Sequence, residues 1–323
     1  MIRLGLIGCG EHGEGGHAVP LARYRAAHPD EVELTAVCDL RPERAQLFCG
    51  RYGFLHPYSD MNEMLQRHHL DACIAVVPVE KIPHVGIQLL EQRLPCVVEK
   101  PLGASLAQVE ILRQAARDTG TPNMVSVNRR FMPFLNRALA WSREQGHLRY
   151  VRCAFTRHAR SEPQFLSETG VHAMDTMRYI AGEIRKASIR PLKHTEAAAD
   201  WYAIDLEFAN GVSGRIDVLP TCGSREETYE MIGENFRAMV TCPFGLERGF
   251  RCFRENRVVL EDYESAASTE DVVNGFYDEA AALIGALGAK QDLQPSIEDV
   301  FPSVQLCLQL AAEAAARPIP SRS

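Results

Sequence analysis

Short apolar runs alternate with segments of helical length over the first 125 or so residues of this 323-residue chain. The apolar runs predict strands at residues 4–7, 33–38, 72–77, 96–98 and 123–127. Helices are predicted between them, at residues 42–52, 61–68, 83–90 and 105–119. Strands connected through helices of this length are typical of right-handed βαβ units, so the pattern predicts a doubly wound parallel sheet.

The pattern changes after about residue 130. A helical stretch at 134–144 precedes segments that alternate polar and apolar residues, at 150–156, 201–208 and 212–218. Asn210-Gly211, between the last two, predicts a hairpin turn. Further strands are predicted near 239–242, 250–253 and 258–260, and amphipathic helices at 275–287 and 296–316.

Together these patterns predict an α/β protein of two domains, since the chain is long for a single hydrophobic core. We expect an N-terminal Rossmann domain with a doubly wound parallel sheet over residues 1–125. An α+β domain with a large, mostly antiparallel open sheet is expected over residues 126–323. The C-terminal helix of the second domain could pack back on the first.

Composition and charge narrow the classes of function. A formal net charge of −7 argues against a general nucleic-acid binder, which usually carries a basic stripe. No run of 18 apolar residues is present, which argues against a membrane-spanning helix. The ten cysteines are scattered without a C-x-x-C pair, so we expect free thiols, a reducing cytoplasm and no metal site.

A glycine-rich segment follows the first predicted strand directly. Gly8, Gly10 and Gly13 have the G-x-G-x-x-G spacing of a dinucleotide-binding turn. The first glycine permits the tight turn, the second lets a pyrophosphate approach the backbone, and the third allows close packing of the following helix. Glu11 and His12 stand between them, at the helix N-terminus that would face the phosphates. We therefore assign all five residues to a cofactor site.

Asp39 ends the second predicted strand. An acidic side chain there is placed to accept hydrogen bonds from the adenosine ribose 2′-hydroxyl, which favours NAD. Arg41 follows closely and could accommodate a 2′-phosphate, so NADP also stays open. The alternative reading is a glycine-rich turn with a solvated aspartate.

The segment Glu99-Lys100-Pro101 ends a later apolar run. Because ligands of doubly wound sheets bind at the carboxyl ends of the strands, Lys100 is a candidate to hold a substrate oxygen and stabilise its alkoxide character. The alternative is a surface lysine paired with a neighbouring carboxylate. We assign Pro78, Glu99 and Lys100 to the cofactor edge of the site, and Lys100 also to the catalytic residues.

A third motif contains Glu168, His172 and Asp175. Positions i, i+4 and i+7 of a continuous helix share one face. A histidine between carboxylates is suited to general acid–base work, because a carboxylate can fix its tautomer. The alternative is a structural histidine near an acidic helix N-terminus.

In their order and spacing, these motifs resemble the Gfo/Idh/MocA oxidoreductase family, which includes glucose–fructose oxidoreductase and inositol dehydrogenases. The resemblance extends to residues 58–60, 128–131 and 295–299. It implies a Rossmann domain, and an open sheet that often builds homodimers or homotetramers. It also implies that Lys100 lies beside the nicotinamide and the substrate, that His172 accepts the proton, and that Asp175 orients the site.

Three positions depart from the family pattern. Glu168 stands where an aspartate is usual, Ile82 where a histidine is usual, with His84 two residues away, and Arg93 where a glycine is common. These departures affect contacts at the cofactor edge and the substrate class rather than the fold.

The combined expectation is an NAD(P)-dependent dehydrogenase or reductase that acts on a sugar, a cyclitol or a related polyhydroxy compound. A non-catalytic dinucleotide-binding sensor of the same fold, or an NAD-dependent glycosidase, are the alternatives. Arg129, Arg157 and Arg160 either line the substrate side and favour an anionic sugar or are solvated surface charges. The expected partner is a small molecule, with no nucleic acid and no membrane.

Overall fold

The computed structural model describes residues 1–193 and 199–316. Its contacts divide the chain into two compact units. Unit 1 contains Met1–Asn128 and Gly275–Pro302, and unit 2 contains Arg129–Asn274 and the residues from Ser303 on. No helix in these described ranges is both long enough and apolar enough to cross a membrane.

Unit 1 is built on a six-stranded parallel sheet in the order β3-β2-β1-β4-β5-β6, which confirms the predicted doubly wound sheet. Its strands are β1 (Ile2–Ile7), β2 (Val32–Cys38), β3 (His56–Tyr58), β4 (Ala72–Ala75), β5 (Cys96–Glu99) and β6 (Asn123–Ser126). The central strands are almost wholly buried, as expected of a parallel sheet covered on both faces. The short edge strand β3 was not predicted.

Helices of unit 1 follow the strands in the expected alternation. They are α1 (Val19–Ala27), α2 (Pro42–Tyr52), α3 (Met61–Arg67), α4 (Ile82–Glu91), α5 (Leu106–Thr119) and α10 (Phe276–Ala289). The sequence-based division assigned residues 275–302 to the second domain, whereas their contacts group them with unit 1. The reason is local: α10 packs on α1, and the amide of Val125 donates to the Pro295 carbonyl at 2.8 Å.

Unit 2 is built on an eight-stranded sheet in the order β14-β13-β12-β11-β7-β10-β9-β8. Only β7 and β10 pair in parallel, which confirms the predicted, mostly antiparallel sheet. The strands are β7 (Leu148–Thr156), β8 (Ile184–Lys193), β9 (Trp201–Phe208), β10 (Ser213–Leu219), β11 (Glu226–Gly233), β12 (Phe236–Thr241), β13 (Gly249–Arg254) and β14 (Arg257–Tyr263). Strands β8 and β11 were not predicted.

The helices of unit 2 precede, separate and follow its strands along the sequence. They are α6 (Pro133–Gln145), α7 (Phe165–Glu168), α8 (Val171–Ala181) and α9 (Glu270–Val273). The last helix, α11 (Ile297–Ala316), belongs to unit 2 from Ser303 on. The predicted hairpin joins β9 to β10, where Gly211 has a φ of 87° and the Phe208 amide donates to the Val212 carbonyl at 2.9 Å.

Candidate functional site

In the glycine loop of unit 1, a backbone carbonyl lies very close to each of two glycines. Gly8 has a φ of 100°, and a Cβ there would lie 1.9 Å from the Val76 carbonyl oxygen. A Cβ on Gly13 would lie 2.3 Å from the Gly8 carbonyl oxygen. A Cβ on Gly10, in contrast, would meet no atom within 4 Å. Only glycine therefore fits at positions 8 and 13, and the loop leaves open space above Gly10 for a ligand.

The helix after this loop begins with a π-helical segment, Gly13–Ala18, which continues into α1. The amide of Glu14 donates to the Gly10 carbonyl at 2.9 Å, and Glu11 and His12 are exposed. Helix N-termini carry unpaired N–H groups that suit an anionic pyrophosphate. π-Helical turns occur preferentially at functional sites.

Asp39 and Arg41 lie together at the end of β2, as the sequence predicted. The Asp39 carboxylate accepts the Cys9 amide at 2.8 Å and the Arg41 amide at 2.9 Å. The Arg41 Nε lies 3.9 Å from the same carboxylate, and its side chain is 56% exposed. The Cys9 amide of the glycine loop therefore orients the Asp39 carboxylate. The neighbouring Arg41 guanidinium is exposed and can change its position.

Glu99, the last residue of β5, is buried, and one of its oxygens is shared by two imidazoles. Its Oε1 accepts hydrogen bonds from Nε2 of His12 at 2.9 Å and from Nε2 of His17 at 2.7 Å. Burial alone would raise the pKa of Glu99, but His12 and His17 outweigh it and hold that pKa well below the ordinary value. His17 was missed because an isolated histidine in a glycine-rich segment gives no sequence signal.

This three-residue group bears on the expectation that no metal is bound. The ligand atoms of His12, His17 and Glu99 lie within 4.8 Å of one another, a spacing that a metal ion could bridge. The hydrogen bonds between them already satisfy the carboxylate oxygen and both ring nitrogens involved. The geometry thus has a sufficient explanation in hydrogen bonding.

Five of the predicted cofactor residues line one pocket of about 250 Å³, namely Gly10, His12, Gly13, Glu99 and Lys100. The other five, Gly8, Glu11, Asp39, Arg41 and Pro78, are not among its lining residues. Pro78 is exposed and directly precedes the single helical turn Val79–Lys81, whose Val79 also lines the pocket. Lys100 is half-buried at the carboxyl end of β5. The position is the ligand-binding edge expected of a doubly wound sheet.

In unit 2 the predicted continuous helix over Glu168, His172 and Asp175 is wrong. Helix α7 ends at Glu168, and α8 begins at Val171. The break has a steric reason, because the chain turns so tightly that a Cβ on Gly170 would lie 2.5 Å from the Leu166 carbonyl oxygen. Glu168 therefore does not share one continuous helical face with the other two residues.

His172 is buried in the first turn of α8, and its ring contacts a guanidinium. Arg129 Nη1 lies 3.3 Å from His172 Nε2. Because a guanidinium has donors only, Nε2 accepts this hydrogen bond and carries a lone pair. The Nε2 lone pair of His172 is therefore directed at the Arg129 guanidinium.

Asp175, one turn later in α8, is buried and hydrogen-bonds away from the imidazole. Nε and Nη2 of Arg130 each donate a hydrogen bond to one oxygen of its carboxylate, both at 2.8 Å. The Ser303 hydroxyl donates to it at 2.8 Å. These contacts anchor α8, the helix that carries the ring, and the effect of Asp175 on His172 stays a prediction.

A buried carboxylate that the sequence did not indicate shares the Arg129 guanidinium with His172. Glu227, in β11, accepts Arg129 at 2.8 and 3.2 Å, Arg157 at 2.6 Å and the Tyr229 hydroxyl at 3.0 Å. Burial raises the pKa of Glu227, but Arg129 and Arg157 outweigh it and lower that pKa below the ordinary value. Since Arg129 and Arg157 are both buried, the alternative that they are solvated surface charges is wrong.

Comparison with known proteins finds a family model that matches the first part of the chain, including the glycine loop. The model described as "Oxidoreductase family, NAD-binding Rossmann fold" matches residues 2–128. A relative from Sphingobium sp., named 4-carboxy-2-hydroxymuconate-6-semialdehyde dehydrogenase, is 28% identical over 199 residues, which cover 58% of this chain and 61% of the relative. D-apiose dehydrogenase from Paraburkholderia graminis is 25% identical over 208 residues, covering 58% of this chain and 54% of that protein. These matches span less than two thirds of the relatives' own length.

The fold is also similar to that of solved structures. An oxidoreductase from Agrobacterium radiobacter, solved in complex with NAD+, L-tartaric acid and magnesium, has a TM-score of 0.80 at 16% sequence identity. The match covers 97% of this chain and 97% of that chain. At this identity the likeness establishes a shared fold over nearly the whole length.

Proposed function

Because the chain carries the NAD-binding Rossmann domain of the Gfo/Idh/MocA oxidoreductase family over residues 2–128, we propose that it is an NAD(P)-dependent dehydrogenase acting on a CH–OH group. The observation that carries the proposal is the pocket where the open space above Gly10 meets Glu99 and Lys100. A sugar, a cyclitol or a related polyhydroxy compound is the proposed substrate. D-apiose dehydrogenase, a sugar dehydrogenase by name, supports this class.

Unit 1 supplies the proposed cofactor-binding groups. The N–H groups around Gly10 and Glu11 would hold the pyrophosphate, and Asp39 would accept hydrogen bonds from the adenosine ribose. Arg41 lies close enough to Asp39 to contact a 2′-phosphate, so NADP is a second candidate. When bound, the nicotinamide supplies the hydride acceptor in oxidation. The paired histidines fix Glu99 in its ionised form at the edge of this pocket.

Two side chains are assigned to the reacting oxygen. The Lys100 ammonium would bind the substrate oxygen and stabilise negative charge on it. His172 would take the hydroxyl proton on Nε2 by exchanging the hydrogen bond from Arg129 for one from the substrate hydroxyl. Asp175 would orient His172 indirectly by holding α8 in position. Glu168, at the end of the preceding short helix α7, would orient or tune His172. As in many members of the family, we expect a homodimer or homotetramer, located in the cytoplasm.

Nucleotide titration is the first test. NADH and NADPH fluorescence would be followed on the wild type and on Asp39→Ala. We expect saturable NADH binding that Asp39→Ala weakens about 10-fold or more, the loss expected for one charged hydrogen-bond acceptor. Tighter binding of NADPH than of NADH would assign the adenosine end to Arg41 instead. A folded, nucleotide-free preparation that binds neither compound would contradict the proposal.

Turnover is tested next with a panel of sugars and polyols, read at the absorbance of NADH. We expect His172→Gln to lower kcat about 10²- to 10⁴-fold, the usual contribution of a general base, without changing NADH affinity. The exposed His147, also in unit 2, provides the matched control His147→Gln, which should leave both quantities unchanged. Equal kcat values for the two variants would remove His172 from the mechanism.

A further inference from the structure

Three guanidinium groups of unit 2 surround one aromatic ring. The Cζ atoms of Arg225, Arg157 and Arg129 lie 3.5, 5.0 and 5.7 Å from the centre of the Phe244 ring. A guanidinium stacked on an aromatic face is held in place while its N–H groups remain free to point outward along its plane. We call these four residues the arginine–phenylalanine cluster.

One carboxylate is shared by two arginines of this cluster. Arg129 and Arg157 both hydrogen-bond to Glu227, and Arg225 is the third guanidinium of the group. The neighbouring arginines pair with carboxylates outside the cluster, Arg160 with Glu162 and Arg248 with both Glu264 and Glu270.

Several N–H donors of the cluster are available to a ligand. A guanidinium has five N–H bonds. Within residues 1–193 and 199–316, Arg157 uses two of its nitrogens, towards the Thr156 carbonyl at 2.7 Å and Glu227 at 2.6 Å. Arg225 is exposed and donates no hydrogen bond within the same ranges, and the charges of Glu227 and Glu270 act on it without a close ion pair. Burial of part of its surface and repulsion from Arg157 lower the pKa of Arg225 below its ordinary value.

The cluster adjoins the proposed base. Arg129 donates both to Glu227 and, at 3.3 Å, to His172 Nε2. A proton accepted by His172 adds a positive charge beside a guanidinium, which is unfavourable unless a negative charge is near. An anionic group on the substrate would provide that charge.

We propose that the substrate carries an anionic oxygen group, a carboxylate or a phosphate, which binds to Arg225 and Arg157 beside His172. This inference rests on the proposed dehydrogenase function and narrows its substrate class from polyhydroxy compounds in general to acidic ones. Guanidinium groups bind planar carboxylates and phosphates through paired N–H donors, which matches the groups left available here. Arg225 determines specificity, since it is the exposed member of the cluster.

The test compares matched neutral and acidic compounds. D-glucose and myo-inositol are the neutral members, D-gluconate and D-glucuronate carry a carboxylate, and D-glucose 6-phosphate carries a phosphate. Each is assayed for NADH formation and for its effect on the thermal unfolding midpoint of the NADH-bound protein. We expect the acidic compounds alone to raise that midpoint, and the carboxylate and phosphate arms identify which group is bound.

Arg225→Gln is the decisive variant. We expect it to raise the KM or the apparent dissociation constant of the acidic compounds about 10- to 100-fold, the loss of one charge-assisted hydrogen-bonding group, with neutral compounds unchanged. Arg149→Gln is the matched control, because Arg149 is an exposed arginine of the neighbouring strand β7 without an ion pair among the described residues. It should behave as the wild type.

The outcomes separate the two proposals. Turnover or stabilisation by neutral compounds as strong as by acidic ones, or an Arg225→Gln variant with unchanged affinity for the acids, overturns the anionic-substrate inference alone. Absence of nucleotide binding overturns the dehydrogenase proposal, and the same unfolding measurement on the nucleotide-free protein then reports whether acids bind at Arg225.

Discussion

Glu99 in unit 1 and Glu227 in unit 2 are both buried carboxylates at the centre of a polar cluster, but their partners differ. Two imidazoles hold Glu99, whereas two guanidinium groups and a phenol hold Glu227. In both, burial raises the pKa of the carboxyl group and the partners outweigh it. An imidazole can be neutral near pH 7, but a guanidinium cannot. The comparison teaches that the basic partners of Glu227 carry a permanent charge, whereas those of Glu99 can lose theirs.

Removing the charge of Glu227 should have the larger effect on stability. Glu227→Gln removes the buried carboxylate that Arg129 and Arg157 share, so we expect a loss of about 3–5 kcal/mol in the free energy of unfolding. Urea unfolding at pH 7 measures it. Glu230→Gln is the matched control, because Glu230 lies in the same strand but pairs with the partly exposed Arg237, and a loss of less than about 1 kcal/mol is expected. Equal losses in the two variants would contradict this account of the cluster.

Replacing Glu99 of unit 1 by glutamine should lower the free energy of unfolding by less. Glu99→Gln retains an amide oxygen that can accept a hydrogen bond, and both histidines can remain neutral, so no buried charge is left unpaired. We expect a loss of about 1–3 kcal/mol, the usual penalty for one disrupted buried hydrogen-bond group. The comparison of partners fails if Glu99→Gln destabilises the protein as much as Glu227→Gln does.

Lowering the pH should reduce the difference in the free energy of unfolding between the wild type and each of the two glutamine variants. Each folded carboxyl group has a pKa below the ordinary 4.5, so below about pH 4.5 the unfolded chain binds protons that the folded chain does not. The stability that each carboxylate contributes is therefore complete above this pH and is lost as pH falls, at about 1.4 kcal/mol per pH unit and group. Urea unfolding at pH 7, 5 and 4 should show both glutamine variants approaching the wild type in acid. A gap that widens in acid would mean that the pKa directions are reversed.

The two clusters also differ in how far the sequence could predict them. Unit 1 was predictable because its signals are local. Gly8, Gly10 and Gly13 lie within one short segment, and Glu99-Lys100 directly follows an apolar run. The short strand β3 and the contribution of His17 were missed. Neither produces a periodic pattern, and His17 gains its meaning only from a carboxylate 82 residues away.

In unit 2 the prediction failed where burial and polarity conflict. Strand β11 buries alternate residues, Glu227, Tyr229 and Met231, so a charged residue occupies a core position and the strand did not read as apolar. The partners that make this burial favourable are 98 and 70 residues distant, in Arg129 and Arg157. Likewise, spacing alone could not show that the close turn at Gly170 separates Glu168 from His172.

Metal addition should have the smallest effect and sharpens the comparison further. A guanidinium has no lone pair for a metal, so Glu227 with Arg129 and Arg157 is an internal reference at which we expect no metal cation. In the Glu99 cluster, an ion would have to displace the protons by which two Nε2 atoms donate to one carboxylate oxygen, and we expect these hydrogen bonds to prevail. Neither EDTA nor equimolar Zn²⁺ should then change the thermal unfolding midpoint or the affinity for NADH. If Zn²⁺ raised the midpoint of the wild type but not that of His17→Gln, the histidine pair would be a metal site, and unit 1 would hold an adjustable positive charge where unit 2 holds a fixed one.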